Sequence, residues 1–233
     1  MSARSSSGLR PVTRPRLYEQ VAEQIIGWID ESGLRPGDRL PPERELATRL
    51  GVSRATVSQA LVALEVIGVV AVRHGDGALL TETRSSTKII DAIRAHATRL
   101  PEIIEARDAL ETKLAALAAS RRTDDDMARI DAALTEMERD IDAGGRGVEG
   151  DELFHAAITA AARSTLLSRM MAEISDLVLE TRIESLSQPG RPRDSLKAHR
   201  RIADAIRGQD AGGAAQAMHD HVEMVSDVAL LRD

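Results

Sequence analysis

GLRPGDRLPPERELATRLGVSRATVSQALVALEVIGVV, residues 33–70, is the stretch on which the fold turns. Pro41 and Pro42 precede ERELATRL, whose acids lie in its first turn, so this run reads as a short helix that Gly51 stops. Ser53 is a good N-cap for the next helix, whose apolar side is Val57, Ala60, Leu61 and Leu64 and which ends at Gly68. Two short helices joined by the tight GVS turn make a helix-turn-helix. Upstream, Leu17, Val21, Ile25, Trp28 and Ile29 recur every three or four residues, giving an amphipathic helix over 17–32 closed by Gly33. Downstream, VVAVRHGDGALL at 69–80 sets two aliphatic stretches around a Gly-Asp-Gly turn, the pattern of a hairpin. Helix-turn-helix plus hairpin is a winged helix, assigned to residues 17–81.

If Val57, Leu61 and Leu64 pack inward, then Arg54, Ala55 and Ser58 share another face near the start of their helix. A recognition helix offers that end to the major groove. Arg54 can fork onto guanine O6 and N7, while Arg44 on the preceding helix and the first backbone amides of the third can hold phosphates. Gly75 and Gly77 let the hairpin tip approach DNA closely, with His74 placed to enter the minor groove. Five arginines between Arg35 and Arg54 strengthen this reading over that of scattered solvated charges.

Composition bounds the alternatives. A chain of 233 residues, 42% hydrophobic and 29% charged, can bury one large core or two small ones. Without cysteine there is no disulfide framework, thiolate metal site or cysteine nucleophile. Tyr18, Trp28 and Phe154 are the only aromatics, too few for a single-strand stacking platform. No apolar run approaches the roughly 18 residues of a bilayer span, and the first 16 residues lack a hydrophobic signal stretch, so a soluble, cytoplasmic protein without a membrane partner is expected. Residues 1–80 carry ten arginines against nine acids, whereas 81–233 carry 21 basic and 28 acidic side chains. The two parts therefore have different partners. Arg4, Arg10, Arg14 and Arg16, with no acid among them, make residues 1–16 a flexible basic arm.

After a polar linker at 82–87, strand patterns vanish. The remainder, 88–233, reads as an all-α bundle with helices over 88–100, 101–121, 124–143, 149–163, 165–187, 193–208 and 211–231. Three helices put polar groups where their apolar stripe runs: His221 among Ala214, Met218 and Val225; His199 among Leu196, Ala203 and Ile206; Asp151 and His155 among Val148, Ile158 and Ala162. One carboxylate and three imidazoles on buried faces are costly unless paired or bound to a cation. A divalent ion satisfies all four together, with zinc foremost and nickel, manganese or iron also suited to such donors.

The 33–70 stretch closely resembles the N-terminal signature of the GntR family of bacterial transcription regulators. By that resemblance Arg44, Ser53, Arg54, Thr56 and Gly75 match the family's DNA contacts; Ser58 and Gln59 replace a common arginine-glutamate pair, so one arginine contact is missing. The remainder resembles the helical FCD effector domain of the FadR-type branch, where DELFH, AHRRIADAI and AMHDH match a metal-holding pattern that falls on Asp151, His155, His199 and His221. EARDALETKLAALAA resembles an early helix of that domain. Arg107 there would pair with an effector carboxylate or, within the chain, with Glu111 or Asp108. Thr165 replaces an asparagine common after the metal helix, and is the remaining candidate for the effector.

The function these features imply is a metabolite-responsive transcription regulator, a repressor that binds a palindromic double-stranded operator as a homodimer and senses a small carboxylic acid. Two rivals remain: a metal-free regulator sensing an acyl thioester, and a helical metalloenzyme. The second lacks a recognisable general base or nucleotide-binding glycine motif.

Overall fold

The structure, a computed structural model, describes residues 17–73, 77–81 and 86–226. The expected basic arm, His74 and Gly75 of the expected hairpin tip, and residues 227–231 of the expected last helix lie outside the described residues. The N-terminal part runs α1 (Leu17–Ser32), α2 (Glu43–Leu50), α3 (Arg54–Val66), β1 (Val70–Arg73) and β2 (Gly77–Leu80). The local causes are those in the sequence. Glu43 and Glu45 sit in the first turn of α2, Gly51 closes it at a left-handed φ of 67°, and Ser53 Oγ accepts from Thr56 N at 3.1 Å to cap α3. The strands are antiparallel, with Val70 facing Leu80 and Arg73 facing Gly77. The segment around Arg39 also bridges to Leu79 and widens the wing. Ile25, Ile26, Leu61, Leu64, Val70 and Leu80 meet in one core, each burial worth roughly 1.5–3 kcal/mol.

The rest is helical: α4 (Ser86–Arg121), α5 (Asp124–Asp142), α6 (Val148–Ala161), α7 (Thr165–Glu173), α8 (Ser175–Leu186), α9 (Arg191–Arg207) and α10 (Ala211–Ser226). Three expectations are corrected. The helices expected over 88–100 and 101–121 are one, with Pro101 inside α4 rather than opening a new helix. An interior proline costs about 3 kcal/mol; the buried side chains of Leu100 and Ile103, on either side of it, offset that and keep the helix going. α4 also starts inside the presumed linker, at Ser86. Its Ile89, Ile93 and Leu100 belong to the N-terminal core, while Leu114, Ala115 and Ala118 belong to the second core. One helix thus ties the two parts together. Finally, the helix expected over 165–187 breaks at Ile174, where the Ser175 hydroxyl donates to Ala172 O at 2.9 Å and gives the backbone a competing partner. Among the described residues no helix is long and apolar enough to cross a membrane.

Candidate functional site

α6 presents Asp151 and His155 one turn apart on its buried side, α9 presents His199, and α10 presents His221. The four side chains each offer one ligand atom, and these atoms lie within 4.8 Å of one another. His199 Nε2 stands 3.3 Å from His221 Nε2 and 3.5 Å from Asp151 Oδ1; His155 Nε2 stands 3.9 Å from Asp151 Oδ2. Phe154 stacks on His199 with ring centroids 4.3 Å apart, which fixes that imidazole in place. Every residue assigned to metal by its stripe is therefore brought to one point.

Whether these residues fit a metal can be judged from their neighbours. His155 Nδ1 lies 2.8 Å from Glu111 Oε2, the arrangement in which Nδ1–H donates to a carboxylate and Nε2 keeps its lone pair free. That Nε2 is buried without a hydrogen-bond partner among the described residues. Burial, His155 and Arg182 outweigh the pull of Asp151 and hold the His199 pKa at about 3; burial with His199 and His155 pushes His221 well below its ordinary value. Both are neutral, as ligands must be. Burial opposes the charge of Asp151, but the cationic surroundings, with the Arg182 guanidinium 3.0 Å away, outweigh it and lower the pKa of that carboxyl. Three imidazoles and a carboxylate converging in this state fit a divalent transition metal.

Around the cluster runs a charged shell that the stripes only partly announced. Arg107, fully buried on α4, donates from Nε to Glu111 Oε1 at 3.1 Å and from Nη1 to Thr181 Oγ1 at 2.7 Å. The internal pairing with Glu111 is thus present, while Arg107 Nη2 has no hydrogen-bond partner among the described residues. Arg182 on α8 lies 3.0 Å from Asp151 Oδ2 by its Nε. Neither Arg182 nor Thr181 carried a sequence signal, because the break at Ile174 resets the phase of the helix that bears them. Thr165 is exposed at the first position of α7 and is not among the gathered residues. His96 is buried against Glu180 and Glu184, and His219 lies half-exposed beside Asp108.

At the other end of the chain Arg44, Ser53, Arg54 and Ala55 are exposed and Thr56 and Ser58 partly so, on α2 and the first turns of α3. The Ser53 hydroxyl is engaged as the cap of α3, with Thr56 Oγ1 2.8 Å away.

Residues 17–80 match the family described as bacterial regulatory proteins, gntR family, and residues 102–224 match the FCD domain. The chain is 34% identical to the HTH-type transcriptional regulator LutR of Bacillus subtilis over 209 residues, covering 86% of this chain and 95% of that protein. It is 32% identical to the Uxu operon transcriptional regulator of Escherichia coli, covering 90% and 85% of the two chains. The solved structure of Streptococcus agalactiae GntR is 28% identical, covers 90% of this chain and 98% of its own, and superposes with a TM-score of 0.47.

Proposed function

The chain belongs to the GntR family of bacterial transcription regulators, with an FCD effector domain, and from that premise we propose that it is a metal-dependent repressor responsive to a small organic acid. It is a regulator and not an enzyme, as are its relatives. In this reading a cytoplasmic homodimer binds a palindromic operator through two winged helices, because a two-fold protein presents its heads to inverted half-sites. Arg54, Ala55 and Ser58 face the bases; Arg44, Ser53, Thr56 and the wing residues His74 and Gly75 hold the backbone and the groove.

The balance of buried charge supports an acid as the effector. Arg107 and Arg182 offset Asp151 and Glu111, and His199 and His221 are neutral, so these six groups carry no net charge by themselves. A divalent ion, zinc foremost, held by Asp151, His155, His199 and His221 supplies an uncompensated double charge and coordination positions for an anion. The free Nη2 of Arg107 offers a planar donor that suits a carboxylate. Such a centre disfavours the bulky, largely apolar acyl thioester.

An effector shifts DNA binding only by its differential affinity for two conformations of the protein. The test is a gel shift of the zinc-loaded protein on a duplex selected from a random library, titrated with short hydroxy and dicarboxylic acids. Release by one of them is expected, with loss of all specific binding in Arg54→Ala. Purified protein that holds no transition metal, or binding untouched by Arg54→Ala, would overturn the corresponding half of the reading.

A further inference from the structure

Arg146, in the loop between α5 and α6, stands where three elements meet. Its guanidinium takes Glu65 of α3 with both ends, Nη1 to Oε2 at 2.8 Å and Nη2 to Oε1 at 2.7 Å. Nη1 also donates to Ser187 Oγ, just past the end of α8, at 2.6 Å. Glu65 Oε1 in turn accepts from Val72 N of β1 at 3.1 Å, so the wing shares the contact. With side chains only 25% and 10% exposed, this bidentate pair is sheltered from the solvent screening that weakens surface ion pairs.

The loop is stiff and is joined directly to the metal ligands. Asp140 accepts from Gly145 N through its carbonyl at 2.8 Å and from Gly147 N through Oδ2 at 2.7 Å. The Gly147 carbonyl accepts from Asp151 N at 2.9 Å. A Cβ on Gly150 would lie 2.4 Å from Met137 backbone atoms, so α6 rests on α5 with no room between them. Asp151 is thereby linked to the Arg146 loop by hydrogen bonds and close packing. On the other side α8, which runs up to Ser187, carries Thr181 and Arg182, the partners of Arg107 and Asp151. Two elements that line the metal cluster converge on one guanidinium.

What that guanidinium holds is the reading face. Ala55, Ser58, Gln59 and Val62 of α3 line a cleft of about 250 Å³ whose opposite wall is Glu184, Ser187, Gln188 and Pro189. A helix enters a major groove only if its flanks clear the phosphate walls on either side. Arg54 stays exposed, but the turn between α8 and α9 walls the flank at Ser58, Gln59 and Val62, and on that side the condition is not met.

We infer that Arg146 is a latch: its pair with Glu65 holds the flank of the α3 reading face against the α8–α9 turn, and the buried Asp151–His155–His199–His221 cluster acts on DNA binding through it. The inference rests on α3 being the reading helix. The latched form has the lower affinity for DNA, and a ligand that steadies α6 and α8 favours it.

The experiment measures the affinity of zinc-loaded, effector-free protein for a duplex selected from a random library by the parent chain. Arg146→Met and Glu65→Gln are each expected to tighten binding by about five-fold or more. The double variant should gain no more than either single one, since both break the same contact. The swapped chain R146E/E65R, which restores the ion pair but not the acceptor for Val72 N, should return toward the parent affinity, and zinc content should stay unchanged throughout, which a general loosening of the fold would not allow. Should Arg146→Met fail to fold, Glu65→Gln, of nearly the same shape, carries the comparison. Unchanged or weaker binding in the folded variants, or gains that add, overturns the latch. Persistence of binding in Arg54→Ala overturns the placement of α3 and the inference with it, whereas loss in Arg54→Ala without gain at Arg146 and Glu65 removes the latch alone.

Discussion

Glu111 is the residue on which the charged shell depends. It faces His155 Nδ1 at 2.8 Å, accepts from Arg107 Nε at 3.1 Å and lies 3.6 Å from Arg182. Burial opposes its charge, but Arg107, His155 and Arg182 outweigh this and hold its carboxyl well below the ordinary range. Glu111→Gln keeps the shape and removes the charge. His155 then loses the partner that fixes its tautomer, and zinc affinity is expected to fall about 10- to 100-fold, as for other carboxylates behind a ligating histidine. Two buried guanidiniums also lose a counter-charge, so stability should drop by about 3 kcal/mol or more. Competition with a zinc chelator and urea unfolding read the two effects separately, and unchanged zinc affinity would remove Glu111 from the centre. The four residues of the buried cluster were legible in the sequence, because a polar residue in an apolar stripe of period 3.6 is visible without coordinates. Arg182 was not: an arginine reads as solvated until the helix that turns it inward is known, and that turn depends on the break at Ile174.

Among elements, the crossing of α4 and α8 carries a pH-dependent contact. His96 of α4 is buried with Nδ1 2.8 Å from Glu180 Oε2 and Nε2 3.3 Å from Glu184 Oε2, both on α8. Burial lowers the pKa of His96, but the hydrogen bonds and charges of Glu180 and Glu184 outweigh it and raise it to about 9. Because the folded value stands above the unfolded one, the contribution is complete below pH 6.5 and is lost as pH rises through about 9. The difference corresponds to on the order of 3 kcal/mol. Denaturant unfolding between about pH 6 and pH 10 should show this loss, and His96→Gln should flatten the profile; an equal slope in both proteins would assign the effect elsewhere. The same helix shows where element boundaries escape sequence reasoning. Pro101 reads locally as opening a helix, where its missing N–H costs nothing, and only the packing of Leu100 and Ile103 holds it inside one. The N-terminal elements, fixed by local signals at Gly51 and Ser53, needed no such arbitration.

For the molecule as a whole, the centre joins helices that are distant in sequence. The four clustered side chains come from α6, α9 and α10, and the surrounding charges from α4 and α8, so an ion held there would tie most of the bundle together. Occupancy should therefore appear in global stability and not only in local chemistry. An ion bound only by the folded chain stabilises it by RT ln(1 + [L]/Kd), about 4 kcal/mol at a thousand-fold excess over Kd. For a protein of this size that amounts to roughly 8–16 °C in melting temperature. Chelation is expected to lower the transition by such an amount and zinc to restore it. Unfolding should remain cooperative, because the two guanidiniums still offset the two carboxylates and the low-pKa histidines stay neutral when the ion leaves. The apoprotein should still bind its duplex yet no longer respond to an organic acid, since the winged helix takes no ligand from the centre while the effector depends on the ion's charge. A melting temperature indifferent to chelation would mean that the imidazole cluster holds no ion, and would leave the free Nη2 of Arg107 as the main attraction for a carboxylate.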